Sequence, residues 1–461
     1  MSKRPAQDGQ ARTAESASDM VVPSEPPSVD DHASAVPSVP GTVVKQQRTH
    51  DPRQVIEDLR NHLAAHDRRL AFLFGAGTSS AINIAPSPNT EEQPTHKPLI
   101  PAVAALTDIC KTAVSDKGDQ YASAWDALAG QCQQKGHAIN IENILSSVRS
   151  KRDAIGDGET LVGLDSDALK DLETTICSTI AQHVIPDEAT IPDPIPHDNF
   201  VQWVQRVRRT ASLEIFTTNY DILLERAFEH ASLPVFDGFV GAHEPFFYAD
   251  CLEDEDLLPR PKWVRLWKLH GSVNWKAAEV AGRKRIIRGR PDTSGEMILP
   301  SDRKYDESRK EPYTSFMDRL GRVLRAEHAL LITCAYGFGD QDINAVLFGM
   351  LNSNPTGNVI VLWFDELNVA DNLVEKARNR SNLTLVGPNA GVVSGVWGEW
   401  RLNRPVDNKT HAFLDTAFDS NAYPEDSASP AAATDDLRGK MRLGDFNWFC
   451  RFLSEMGASA P

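Results

Sequence analysis

A chain of 461 residues with 41% hydrophobic content can bury one large core or two smaller ones, so a globular protein of one to three domains, long enough to be an enzyme, is expected. Its formal net charge of -16 excludes reliance on a broad phosphate-neutralising surface, so direct nucleic-acid binding is not expected. The cysteines (Cys110, Cys132, Cys177, Cys251, Cys334, Cys450) include no C-x-x-C pair, no apolar run reaches the roughly 18 residues of a bilayer span, and no signal-peptide core opens the chain; this excludes a zinc ribbon and sets a cytoplasmic protein without membrane contact as the expectation.

Residues 1–48 are a low-complexity mixture of Ser, Pro, Ala, Asp and Val, too poor in large apolar groups to offset the entropy of ordering, and a disordered tail is expected. Asp51 then reads as the N-cap of a helix with Pro52 at its first position. The stretch LAFLFGAGTSSAINI, Leu70 to Ile84, is a buried strand running into Gly75 and Gly77. Alone it is either a phosphate-cradling turn or merely a tight one. Ser80 stands where a dinucleotide fingerprint has its third glycine, and Glu91 and Glu92 lie in a loop-like stretch rather than closing a second strand. From Ile100 to about Arg209 the pattern is mostly helical (NIENILSSVRSKRDA, SDALKDLETTICSTIAQHV), which suits an insertion roofing a crevice.

Three more apolar strands then end abruptly in polar residues. SLEIFTTNYDILLERAFE passes from a strand ending near Phe216 through Thr217, Thr218, Asn219, Tyr220 and Asp221 into a helix; VRLWKLHGSVNW ends in His270, Gly271 and Ser272. GRKRIIRGR, with basic residues from Arg283 to Arg290, reads as a solvated loop or hairpin, a local basic patch being the alternative. HALLITCAYGFGDQDINAVLFGM passes from a strand ending near Ala335 through Tyr336, Gly337, Phe338, Gly339 and Asp340 into another helix, and NVIVLWFDE and NLTLVGP add two strands. Tyr423 to Asp436 is linker-like, and FNWFCRFL after it is an amphipathic segment for docking on the core or on a partner. Continuous apolar runs alternating with helices predict an α/β fold with a parallel sheet covered on both faces, all four polar motifs lying at the carboxyl ends of strands, where such sheets bind ligands. The expected organisation is a tail over 1–48, one domain over 49–400 with the helical insertion at about 100–209, and a C-terminal extension over 401–461.

Each motif has a bland reading beside its chemical one. Thr217, Thr218, Asn219 and Asp221 suit N-capping, yet one capping residue suffices; an amide here can bond a ribose hydroxyl and hold a water, and a carboxylate can accept from a carboxamide. His270 is either a satisfied core histidine at a strand end or a base titrating near neutrality. Gly337, Gly339 and Asp340 resemble a second phosphate or adenosine turn, with Asp340 capping the helix that follows; capping and ligand contact are not exclusive.

GAGTSS, TTNYD, KLHGS and YGFGD, in that order over residues 75 to 340, resemble the sirtuin superfamily, in particular the sirtuin-like domains of prokaryotic antiviral NAD-depleting proteins. NIENILSSV, PVFDGFVG (Pro234 to Gly241) and ILPSDRKY (Ile298 to Tyr305) add to the resemblance, which runs from the strand before Gly75 to about Gly387. It implies a Rossmann-like domain that binds NAD as substrate and cleaves the bond between nicotinamide and ribose. Gly75, Ala76, Gly77, Thr78 and Ser79 would lie along the pyrophosphate, and Asn219 would position the nucleophile. Asp221 would face nicotinamide, with Thr218, Gly271 and Ser272 also on the cofactor, and His270 would be the general base. Gly337, Phe338, Gly339 and Asp340 would line the adenosine half. The four-cysteine zinc module of protein deacylases is missing, no metal or zinc is expected, and GAGTSS runs into AINIAPSP rather than the deacylase continuation, so water is the expected acceptor. The resemblance further implies a homo-oligomer in antiphage defence, working beside a HerA-type ATPase or another defence-system partner, with activation from that partner or from oligomerisation. A deacylase or ADP-ribosyltransferase, and a non-catalytic NAD or ADP-ribose sensor, are the alternatives.

Overall fold

A computed structural model describes residues 48–85, 96–259, 262–280, 282–291, 311–405, 412–422 and 437–458. The expected tail up to residue 47, the ILPSDRKY stretch and the linker over 423–436 lie outside the described residues.

The central sheet has ten strands: β1 (Thr49–His50), β2 (Leu70–Phe74), β3 (Glu214–Thr217), β4 (Val235–Phe236), β5 (Val264–Lys268), β6 (Leu330–Cys334), β7 (Asn358–Leu362), β8 (Leu383–Val386), β9 (Ala390–Val393) and β10 (Val396–Trp400). Their spatial order is β4-β5-β3-β2-β6-β7-β8-β9-β10-β1, parallel except for the β8-β9-β10 meander. From β2 the chain steps outward to β3 and β5, then returns to the other side of β2 for β6, β7 and β8. That is the doubly wound order, and its switch point lies between β2 and β6. The fold is α/β and Rossmann-like.

The helices are α1 (Pro52–Ala64), α2 (Gly77–Ser80), α3 (Val103–Ser115), α4 (Asp119–Gln134), α5 (Ile141–Ala154), α6 (Ser166–Val184), α7 (Pro196–Arg206), α8 (Leu223–His230), α9 (Asp250–Glu253), α10 (Tyr313–Arg325), α11 (Gln341–Ser353), α12 (Asn372–Arg378), α13 (Ala412–Ala417) and α14 (Phe446–Ala458). Asp51 caps α1 as expected, accepting from the Arg53 amide at 3.0 Å, with Pro52 at the first turn.

Alternation along each buried strand feeds two cores. Leu70, Phe72 and Phe74 of β2 face one side, packed with Ile56 and Leu59 of α1, Phe200 and Trp203 of α7, and Phe446 and Phe449 of α14. Ala71 and Leu73 face the other side, packed with Phe316 and Leu320 of α10, Leu347 of α11 and Val374 of α12. The amphipathic C-terminal segment therefore docks on the core. A third core joins α3, α4, α5 and α6 to Leu223 and Val273, with Tyr220 and Ile222 packed against it, so this helical insertion sits on the loops that follow β3 and β5. The helix α7, inside the range expected for the insertion, packs on the sheet instead. The basic stretch forms a hairpin, Trp275–Val280 with Arg283–Arg288, in a small antiparallel sheet with Phe239–Val240 and Phe246–Phe247.

Candidate active site

Register places the four motifs on one rim. Phe74 pairs with Thr217 and with Cys334, and Thr217 pairs with Lys268, so the residues after β2, β3, β5 and β6 leave the sheet level with one another. At the switch point the turns after β2 and β6 are stitched together: the Gly75 and Gly77 amides donate to the Cys334 and Ala335 carbonyls at 3.2 and 3.4 Å. The Thr78 and Ser79 amides close the local turn on the Gly75 and Ala76 carbonyls. A Cβ on Gly75 would come 2.3 Å from the Ala335 carbonyl oxygen, and one on Gly77 would come 2.7 Å from the Ala335 Cβ. These glycines are required by the close approach of two segments of the chain, a demand invisible in the local sequence.

Thr78 and Ser79 are buried, and their side chains enter a directed network. The Thr78 hydroxyl donates to the Gly75 carbonyl at 2.9 Å and the Ser79 hydroxyl donates to Asp221 Oδ2 at 2.7 Å. Both hydroxyls, having spent their protons, accept from Asn219 Nδ2 at 2.9 and 2.8 Å. That fixes the amide orientation and turns Asn219 Oδ1 into the free acceptor; it is buried and has no hydrogen-bond partner among the described residues. The Asn219 backbone N–H in turn donates to the Thr217 hydroxyl at 3.1 Å. Asp221 Oδ1 accepts from the Leu223 amide at 3.0 Å, so of the oxygens in this motif it is Asp221, one residue before the N-cap Ile222, that satisfies the first amide of α8.

His270 and Asp340, whose side chains are 8% and 5% exposed, meet at 2.8 Å from Nε2 to Oδ2. With Nε2–H donating to the carboxylate, Nδ1 is the basic nitrogen of the neutral ring. Tyr220 and Tyr336 flank this pair. Burial, with the carboxylates of Glu142 and Asp340 adding to it, pushes both phenols well above their ordinary range, so both stay neutral. Glu142 belongs to the first turn of α5 and so brings a charge of the insertion to bear on the rim.

Lys268 was not legible as a site residue from its motif. Its ammonium is buried and reaches the Tyr220 carbonyl at 3.3 Å, the Asp221 carbonyl, and Glu225 Oε1 at 3.0 Å, which clamps the loop carrying Asn219. Burial pushes the Glu225 carboxyl up while Lys268 pulls it back down. The signal was there: a charged residue closing a strand buried on both faces demands a partner. Ser272 is fully buried and spends its hydroxyl on the Tyr220 carbonyl at 3.4 Å, and Thr218 is tied by its amide to the Phe74 carbonyl at 3.1 Å. Gly271 turns the chain with φ of 94°.

Beyond β6 and β7 the rim opens. A cavity of about 680 Å³ is walled by Gly337, Phe338, Gly339, Phe348, Trp363 and Lys376, with Asn344 and Asp371 among its polar lining. A volume between roughly 300 and 1,000 Å³ with aromatic walls and a few polar groups is the usual form of a small-molecule site. Nothing lies within 4 Å of where a Cβ would stand on Gly337 or Gly339. Ala335 and Phe338 hold left-handed backbone at φ of 57° and 53°, strain of the kind that collects at ligand clamps.

Residues 213–385 match the model of the SIR2-like domain. The chain carries a sirtuin-like domain. No curated protein matches the chain significantly. The matched segment opens one residue before β3, so it takes in TTNYD, KLHGS and YGFGD and leaves GAGTSS outside, joined through the sheet pairing of β2 with β3 and β6. A sirtuin-like domain implies NAD binding and an NAD-related function, and the site fits such a ligand: a buried unpaired acceptor on Asn219, a paired imidazole at the end of the neighbouring strand, and an aromatic-walled cavity. Among the described residues no group of three or more His, Cys, Asp and Glu side chains is placed to hold a metal ion, and no helix is long and apolar enough to cross a membrane.

Proposed function

We propose that the protein is an NAD+ glycohydrolase that splits NAD+ into nicotinamide and ADP-ribose. The observation that carries this reading is Asn219: its amide is locked by Thr78 and Ser79 so that a buried acceptor oxygen is left unpaired, at the end of the strand next to the one that ends in His270, whose tautomer is set. In this reading Asn219 Oδ1 accepts from the ribose hydroxyl or from the attacking water, and His270 Nδ1 takes the proton released. Asp221 faces the nicotinamide side, Gly75 to Ser79 pass along the pyrophosphate, and the adenosine half occupies the cavity lined by Gly337, Phe338 and Gly339. Nicotinamide leaves from an oxocarbenium-like ribose, so orienting the reactants and excluding bulk water supply much of the rate. The roof of α3 to α6 over the rim supports that exclusion.

Free NADase activity would be toxic to the cell that makes it, so the activity is held in check until a partner or oligomerisation releases it; antiphage defence by NAD depletion is the setting we infer. The purified protein, alone and with its partner, is mixed with NAD+ and nicotinamide is followed by chromatography. Release by the wild type and a fall of about 10²–10⁴-fold in Asn219→Ala and His270→Ala are expected. Equal release by either variant, or none from the wild type with its partner present, overturns the reading. A requirement for an acylated peptide would move the protein to the deacylases.

A further inference from the structure

We infer that Asp340 is a positioning residue that holds the His270 imidazole in its Nε2–H tautomer and ties it to the wall of the adjoining cavity. This rests on the proposed role of His270 as base. One carboxylate does two jobs across 70 residues of chain: Oδ2 accepts from His270 Nε2 at 2.8 Å. Oδ1 accepts from the Asp342 and Ile343 amides, at 2.9 and 3.1 Å, as the N-cap of α11. The helix it caps contributes Gln341, Asn344, Ala345 and Phe348 to the cavity, and the turn just before it contributes Gly337, Phe338 and Gly339. Asn344 locks that turn by donating to the Phe338 carbonyl at 2.7 Å. The base is thus anchored to the same turn that walls the cavity. A buried carboxylate on the far ring nitrogen fixes which nitrogen is free to accept a proton and favours the imidazolium once it forms.

The two functions of Asp340 separate by substitution. Serine and asparagine both cap a helix N-terminus well, so α11 is kept in Asp340→Ser and in Asp340→Asn. Serine is too short to hold His270. Asparagine, with its carbonyl spent on the cap, turns its NH2 toward Nε2 and forces the proton to Nδ1. Nitrogen-15 NMR of the histidine-labelled full chain, with the His270 signal assigned by its loss in His270→Gln, reads the tautomer without any need for turnover. The expected result is the Nε2–H form in the wild type, a mixture in Asp340→Ser and the Nδ1–H form in Asp340→Asn. Nicotinamide release should fall in kcat by about 10²-fold in the serine variant and more in the asparagine variant, with KM within about threefold of wild type. A wild-type tautomer in both variants, or an unchanged kcat in an active enzyme, overturns the inference. A purely structural role predicts equal losses in the two variants and is excluded by their ranking. Should the wild type release no nicotinamide, the proposed activity fails while the tautomer measurement still decides the role of Asp340.

Discussion

Gly75-Ala76-Gly77 and Gly337-Phe338-Gly339 share one three-residue pattern at the ends of neighbouring strands, and the molecule uses them in opposite ways. The first has no room: its glycines let the backbone after β2 press against the Ala335 carbonyl and Cβ. The second faces open space and walls a cavity. The contrast extends along the rim. Over β2, β3 and β5 the side chains of Thr78, Ser79, Asn219, Asp221 and Lys268 are packed into one bonded network, with Asn219 Oδ1 and the Tyr220 hydroxyl left unpaired among the described residues, while over β6 and β7 the rim is hollow. A Gly-x-Gly motif after a strand therefore says that something approaches closely, and only the fold says whether that is a ligand or the chain itself.

The packed half should break hardest where a charge is removed from it. Lys268→Met leaves the largely buried Glu225 carboxylate and the Tyr220 and Asp221 carbonyls without their donor, and a loss of about 3 kcal/mol is expected in urea unfolding. A loss under about 1 kcal/mol would mean that Glu225 simply takes up a proton and that the clamp is dispensable.

Next comes the comparison of the two turns themselves. Gly75→Ala drives a methyl group against a backbone carbonyl oxygen that cannot give, and should cost about 3 kcal/mol. Gly337→Ala meets nothing and should leave stability within about 0.5 kcal/mol while weakening NAD+ binding, measured by calorimetry. Equal stability losses at the two positions would erase the distinction between a crowded and an open turn.

The smallest effect is a pH dependence beneath the packed half. His197, at the start of α7, is buried against Phe446 with ring centroids 5.0 Å apart, and burial pushes its imidazole down to about 4 despite the opposing charges of Asp221 and Asp198. The unfolded chain binds its proton near pH 6.5, so between there and pH 4 the unfolded state holds more protons and stability falls as pH falls. His197 should account for about 2 kcal/mol of loss between pH 7 and pH 5, a slope that His197→Phe removes. An identical slope in the variant would assign the acid sensitivity to other groups.

What could be read from the sequence was what is local. Apolar runs such as Leu70–Phe74 and Leu330–Cys334 announce buried strands, and Asp51-Pro52 announces a helix start, because the physics that forms them lies within a few residues. The shared rim followed from those strands and the one-sided placement of polar motifs. The pairing of His270 with Asp340, the contact of Gly75 with Ala335 and the clamp of Lys268 on the Tyr220–Asp221 loop did not follow. Each depends on which strands become neighbours, and that choice is made by the whole sheet. Charges inside apolar strands were the unread clue: Glu214, Arg265 and Lys268 are all buried, and each is ion-paired with a partner from another element, as when Arg265 meets Glu214 at 2.9 Å.

The docking of α14 has a consequence in time. Phe74, the residue before the crowded turn, is covered on one face by Phe446, and Asn447 bonds the Ala81 carbonyl across 366 residues of chain. At roughly 5–20 residues per second, a ribosome delivers that cover about 20–70 s after it has made the turn. Until then Phe74 is packed by Phe72 and Phe200 but lacks the edge contact of Phe446. The cover that α14 lays over β2 is therefore absent from a nascent chain for the whole time it takes to make the intervening residues.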